Sequence, residues 1–198
     1  MRADLEIIRD WVKPNSHVLD LGCGDGTLMQ ALIQNQNIRG YGLEYDDLNI
    51  ISCLEKQVPV IQVDLDQGLS ELFDDHSFDY VIMTQTLQAM HRPDQLLKEM
   101  LRVGKEGIVT FPNFGHWKSR FQLSLGGYMP VTKALPNTWY NTPNIHLCTV
   151  RDFERFCRDN NIRVLQRMVV DTSHQSSFLI KQLPNLLGEI ALYRISKA

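Results

Sequence analysis

Residues 18–26 read VLDLGCGDG, and their order decides the fold. Val18, Leu19 and Leu21 surround a single acid, Asp20; glycines follow at 22, 24 and 26, and Leu28, Met29, Leu32 and Ile33 then resume at helical spacing. This is the pattern of a strand, a glycine turn and a helix. Alternate glycines keep side chains out of the turn, so a ligand can lie against the main chain. The amides that open the following helix face that ligand. A tight turn with no ligand is the plainer reading of the same residues.

The spacing is G-x-G-x-G, because the sixth position of a dinucleotide fingerprint falls on Thr27. The loop itself has no basic residue, which argues against a pyrophosphate and excludes a P-loop lysine. An acid closing the first strand suits a cationic group, such as the ammonium of an amino acid. The pattern resembles motif I of class I S-adenosylmethionine-dependent methyltransferases. That resemblance implies that Asp20, Gly22, Cys23, Gly24 and Gly26 hold the methionyl part of S-adenosylmethionine or S-adenosylhomocysteine.

Working outward, residues 3–12 carry Leu5, Ile8, Trp11 and Val12 at helical spacing, and Pro14 ends that helix before the first strand. After the helix at 26–35, a short strand at 40–44 (GYGLE) ends on Glu44. The acid lies about 20 residues past the glycines, where a βαβ unit places the carboxylate that accepts both hydroxyls of a ribose. A helix at 45–57 leads to a third strand at 58–65 (VPVIQVDL), again closed by an acid. In the methyltransferase fold Asp64 falls near the adenine amino group, while Asp66 reads as a helix cap. Tyr45 and Leu65, beside these acids, join the expected cofactor-binding set.

Leu69, Leu72 and Phe73 suggest a short helix, and 77–84 (SFDYVIMT) reads as a buried strand. Its tip lies at the carboxyl ends of the strands, where open α/β sheets bind ligands; Gln85 belongs to it, and Leu87 is placed to pack on the adenine face. Pro93 opens an amphipathic helix that leads to a fifth strand at 107–111. Strands alternating with helices predict a doubly wound, mostly parallel sheet. Residues 112–149 break that rhythm, holding four of the eight prolines and two of the three tryptophans. They read as a helix at 115–125 followed by a cap over the ligand edge. A helix at 150–160, a strand at 164–170, an irregular segment at 173–188 and a strand at 190–195 complete a single seven-stranded domain, the last strand antiparallel as in class I methyltransferases.

Length and composition set further bounds. At 198 residues the chain is long enough for one domain with a full core, and 43% hydrophobic with 22% charged residues is ordinary for a globular protein. A net charge of −3 with scattered Lys and Arg gives no field for nucleic acid. Cys23, Cys53, Cys148 and Cys157 form no metal or redox motif, so they read as reduced thiols of a cytoplasmic protein, and no metal site is expected. No run approaches a membrane span and no secretory leader is recognised.

The strings EMLRVGKEGIVTFPN, FPNFGHWKSRFQL and LPNTWYNTPNIHLCT resemble the MetW family of bacterial methionine-biosynthesis proteins, and the likeness runs from about Leu5 to Tyr193. The resemblance implies a methyltransferase fold whose members partner homoserine O-acyltransferase and carry the cofactor motifs without a secure methyl acceptor. The tip TQTLQAM lacks the (Asp/Asn)-Pro-Pro-(Tyr/Phe) motif of amine-methylating nucleic-acid enzymes. His116, Tyr140 and His146 in the cap, with His91 at the strand-four tip, are the candidate bases. Trp117, Trp139 and Tyr140, near Lys118 and Arg120, fit a sulfonium cradle, a protein-binding face or the core of the cap. Two readings besides the acyltransferase partner stay open: a small-molecule methyltransferase, and a scaffold with an empty crevice.

Overall fold

The computed structural model describes residues 3–171 and 176–198. Helix α1 (Ala3–Trp11) leads to β1 (His17–Leu21), α2 (Thr27–Gln36), β2 (Arg39–Glu44), α3 (Asp47–Glu55) and β3 (Val60–Gln62). There follow β4 (Phe78–Thr84), α4 (Pro93–Val103), β5 (Gly104–Pro112) and α5 (Trp117–Phe121), which runs on into a single π-type turn, Gln122–Gly126. After the cap come α6 (Val150–Asp159), β6 (Ile162–Val170), α7 (Phe178–Gln182), α8 (Pro184–Leu187) and β7 (Ile190–Lys197). Of the segment expected to be irregular, residues 173–175 lie outside the described residues, and the remainder contains the two short helices.

Among the described residues the strands form one seven-stranded sheet in the order β3-β2-β1-β4-β5-β7-β6. The first five pair in parallel, and β7 is antiparallel to both β5 and β6, as the sequence predicts. Side-chain alternation in β1 sends Leu19 and Leu21 into one core layer and Val18 into the other. One layer packs under α4 and α6, centred on Leu97, Met100, Phe153 and the stacked rings of Phe111 and Tyr193. The opposite layer packs under α1 and α2, with Ile8, Met29 and Leu32 fully buried. Both faces of the central strands β1 and β4 are covered, which is why their sequences are so continuously apolar.

Two elements differ from the sequence pattern. Residues 69–73 make one hydrogen-bonded turn, with Leu72 and Phe73 amides on the Leu69 carbonyl, and the helical turn lies earlier, at Leu65–Gln67. Strand β3 is only three residues long and pairs with the last three of β2, Gly42–Glu44. Because β3 starts so high on the sheet, α3 does not descend its full height, and of its apolar residues only Cys53 is buried. Leu48, Ile51 and Leu54 are exposed.

One buried side chain fixes both ends of the cap. The Asn113 amide, 2% exposed, donates to the carbonyls of Asn185 (3.1 Å) and Gly188 (2.8 Å) and accepts from the amides of Gly115 (3.0 Å) and Val150 (3.3 Å). The segment therefore leaves β5 and enters α6 at the same point. Helix α6 starts with a capping box in which Thr149 and Asp152 satisfy each other's amides.

Candidate functional site

The glycine turn leaves β1 at its carboxyl end, and Gly22 and Gly24 adopt φ of +71° and +55°. At Gly22 a methyl group would come within 2.6 Å of the Thr86 hydroxyl, so the turn is packed against the tip of β4. At Gly24 a methyl group would meet nothing within 4 Å. That backbone is bare toward open space, as contact with a ligand requires.

Two cavities flank the turn. One, of about 310 Å³, is lined by Gly22, Cys23, Gly24, Asp25, Thr27 and Leu28, with Leu5 of α1 and Thr84 at its edges. The other, of about 380 Å³, is lined by Gly22, Glu44, Tyr45, Val63, Asp64, Leu65, Asp66, Thr86 and Met90. Together they make a crevice across the carboxyl ends of β1, β2 and β4. This is the topological switch point of the sheet, since the chain leaves β1 toward β2 on one side and β4 lies on the other.

One carboxylate lies buried behind the glycine turn, outside the lining of either cavity. Asp20 is 1% exposed, and neither carboxylate oxygen has a hydrogen-bond partner among the described residues. Burial, and secondarily the charge of Glu44, push its pKa up to about 7. A buried carboxylate without a partner is costly, and a cationic ligand group would relieve the cost. Glu44 differs. Its Oε2 accepts from the Gly24 amide at 2.7 Å, and Oε1 accepts from the amides of Tyr45 (2.9 Å) and Asp46 (3.0 Å). The carboxylate thus ties the glycine turn to the start of α3, with its side chain at the mouth of the larger cavity.

Of the two acids after β3, Asp64 takes the capping role expected of Asp66 and keeps its place at the crevice. Asp64 caps the turn at Leu65–Gln67, accepting from the Asp66 amide at 3.0 Å, while it also lines the larger cavity. Asp66, expected to be the cap, binds His91 through the backbone amide (2.9 Å) and ring Nδ1 (2.6 Å). Partial burial opposes ionisation of Asp66, but the His91 bonds prevail and hold its pKa below the usual carboxylate range. His91 is thereby tied down at the rim.

Other expected site residues fall elsewhere. Leu87 is buried in the layer under α4 and lines a separate 220 Å³ groove between α4 and α6, and Thr86 and Met90 take the crevice positions on either side of it. Gln85 adopts φ of +55° and gives its amide to Thr110 of β5; it is absent from the lining of both cavities. Cys23 lines the smaller cavity, its Sγ 3.8 Å from that of Cys53. Burial pushes both thiols above their ordinary pKa, which leaves them unreactive.

No cap residue lines either cavity beside the glycine turn, a departure from the expected lid. The physical reason lies in the anchors: the amides of Ile145 and His146 both donate to the Gln88 carbonyl, and Phe114 donates to Cys148, so the segment runs over the β4–β5 end toward α6. The candidate bases go with it. His116 is 5% exposed, with Nε2 3.9 Å from Glu189 and Nδ1 unpartnered among the described residues; burial lowers its pKa. His146 is exposed beside the α4–α6 groove, and Tyr140 is 72% exposed.

Lys56 was hidden from sequence reasoning. Its ammonium reaches back from the end of α3 to the glycine turn, binding the Asp25 carboxylate and carbonyl and the Thr27 hydroxyl. The lysine bond above all holds the Asp25 pKa down. The signal would have been the shortness of β3, which keeps the end of α3 level with the turn. Among the described residues no group of three or more His, Cys, Asp and Glu is placed to hold a metal, and no helix is long and apolar enough to cross a membrane.

The bifunctional methionine biosynthesis protein MetXA/MetW of Rhodopirellula baltica is 32% identical over 201 residues, covering 97% of this chain and 32% of that protein. Demethylmenaquinone methyltransferase of Bacillus mycoides is 36% identical over 103 residues, 48% of this chain and 43% of the enzyme. The match therefore spans less than half the length of these curated relatives. Among solved structures, a SAM dependent methyltransferase from Archaeoglobus fulgidus superposes with a TM-score of 0.72 at 16% identity, covering 99% of this chain and 92% of that one. A putative methyltransferase complexed with the Trm112 methyltransferase activator of Haloferax volcanii gives 0.69 at 16% identity, covering 98% and 87%. These likenesses establish the class I methyltransferase fold. The family model for methionine biosynthesis protein MetW matches residues 2–195, and the chain belongs to that family.

Proposed function

We propose that this protein binds S-adenosylmethionine or S-adenosylhomocysteine in the glycine crevice and serves methionine biosynthesis by binding and activating homoserine O-acyltransferase. One observation carries the reading: the crevice is furnished to hold a ligand, whereas the candidate bases His116, Tyr140 and His146 all lie outside its lining. Asp20 supplies the buried negative charge for the amino-acid ammonium, Gly24 the bare backbone beside it, and Glu44 the carboxylate for the ribose hydroxyls. Asp64 stands at the adenine end. A sulfonium donor brings a methyl group activated for in-line displacement, but the chain adds little beyond positioning the donor. The fused relative supports the partner, since it names two methionine-biosynthesis units in one polypeptide.

The half-chain likeness to demethylmenaquinone methyltransferase keeps a small-molecule methyltransferase as the competing reading. Size-exclusion chromatography with the homoserine O-acyltransferase of the same organism, with S-adenosylhomocysteine release followed in parallel, separates the two. Co-elution without release beyond background is the expected result. Separate elution with steady methyl transfer to an added small molecule would overturn the proposal.

A further inference from the structure

Residues 112–149 contain no aspartate or glutamate; all 23 of the chain's acids lie elsewhere, while Lys118, Arg120 and Lys133 fall within the segment. The same 38 residues hold half of the exposed large apolar side chains among the described residues, including Tyr128 (77% exposed), Trp139 (74%) and Tyr140 (72%). Exposed apolar area on this scale marks an interaction surface.

The display is built. Trp139 and Tyr140 sit at the tip of a turn closed by Asn141, whose Oδ1 accepts from the Thr138 amide (2.9 Å) and hydroxyl (2.8 Å), and the two rings meet edge to face at 5.6 Å. Gln122 bonds both backbone groups of Val131, accepting from its amide at 2.9 Å and donating to its carbonyl at 3.2 Å, which folds the preceding hairpin back on itself. Rings held in place before contact lose little freedom on binding. Lys118 is neutralised by Glu189 at 3.4 Å. Arg120 and Lys133 have no carboxylate partner among the described residues, so the face is net positive on a chain of net charge −3.

We infer that the cap is the docking face for the acyltransferase, and that the partner meets it with an acidic, apolar surface. This rests on the functional reading above and adds to it the surface and its chemistry. The occupant is argued from the bifunctional MetXA/MetW relative, of which this chain covers only 32%; the net positive, ring-bearing face sets the chemistry of the surface that meets it. An aromatic pair locked at a turn tip, on a segment whose Arg120 and Lys133 have no carboxylate partner among the described residues, has the form of an interface hot spot.

The test titrates homoserine O-acyltransferase of the same organism against the full chain at low and high salt. Trp139→Ala should weaken binding about thirtyfold. Lys133→Glu should weaken it about tenfold and flatten the salt dependence. Leu48→Ala with Ile51→Ala, on the exposed face of α3, should leave affinity unchanged. Both cap positions are exposed, and circular dichroism checks that each variant is folded. Loss of affinity in the α3 variant with none in the cap variants would overturn the surface assignment and leave the acyltransferase reading standing. Failure of the wild-type chain to bind would overturn that reading itself. Cap variants that release the chain from phosphatidylglycerol vesicles while binding the acyltransferase normally would also overturn the assignment, in favour of a membrane surface.

Discussion

Asp20→Asn should make the ligand-free protein more stable above neutral pH while abolishing tight ligand binding. The carboxylate is fully buried and has no hydrogen-bond partner among the described residues, and its pKa is raised from 3.8 to about 7. For an acid with a raised folded-state pKa, the unfolded chain ionises first. Stability is therefore greatest below the unfolded value and falls as pH climbs from about 4 to 7, by about 4 kcal/mol for a shift of about three units. Asparagine cannot ionise and escapes this loss, though its own unpaired amide costs about 1–3 kcal/mol. The net gain at pH 8 is about 1–3 kcal/mol, or about 2–10 °C in Tm for a chain of this size. Thermal unfolding of both proteins from pH 4 to pH 8 measures it: the curves should diverge in favour of the variant as pH rises, and added S-adenosylhomocysteine should raise only the wild-type Tm. A variant less stable than wild type by the same amount at every pH would refute the reasoning, because Asp20 would then be ionised and satisfied within the protein.

Three further outcomes follow from neighbouring contacts. Glu44→Ala should weaken S-adenosylhomocysteine binding about tenfold to a hundredfold in calorimetry; because Glu44 also accepts three backbone amides, it should lower stability as well, and an unchanged dissociation constant would remove Glu44 from the site. Gly24→Val should remove binding by filling the open space over the turn, with a strain cost of about 1–2 kcal/mol from the positive φ, and a folded variant that still binds would contradict the crevice. Asn113→Ala breaks four hydrogen bonds of a buried side chain at the root of the cap and should cost about 3 kcal/mol or more in urea unfolding; a loss under 1 kcal/mol would mean that the cap is anchored elsewhere.

Much of the architecture was legible because its signal is local. Strand, glycine turn and helix follow one another within residues 18–33, and the continuous apolarity of β4 reflects burial on both faces. The carboxylate at the end of β2 is likewise a matter of spacing. What stayed hidden depends on where distant segments stop. Leu48, Ile51 and Leu54 of α3 are exposed because a three-residue β3 leaves the helix high on the sheet. The same shortness brings Lys56 onto the turn. Asp64 and Asp66 differ by two positions, and which one caps depends on where a single helical turn begins. The cap looked like a lid because long aromatic insertions at a ligand edge often are, but the backbone bonds to Gln88 that carry it toward α6 leave no trace in composition.

The initial rate of homoserine acylation, measured at fixed acyltransferase while this protein is titrated in, tests the proposed partnership most directly. The rate should rise and saturate at a fixed ratio of the two proteins. A rate that stays flat across the titration, with the protein folded and able to bind S-adenosylhomocysteine, would contradict it.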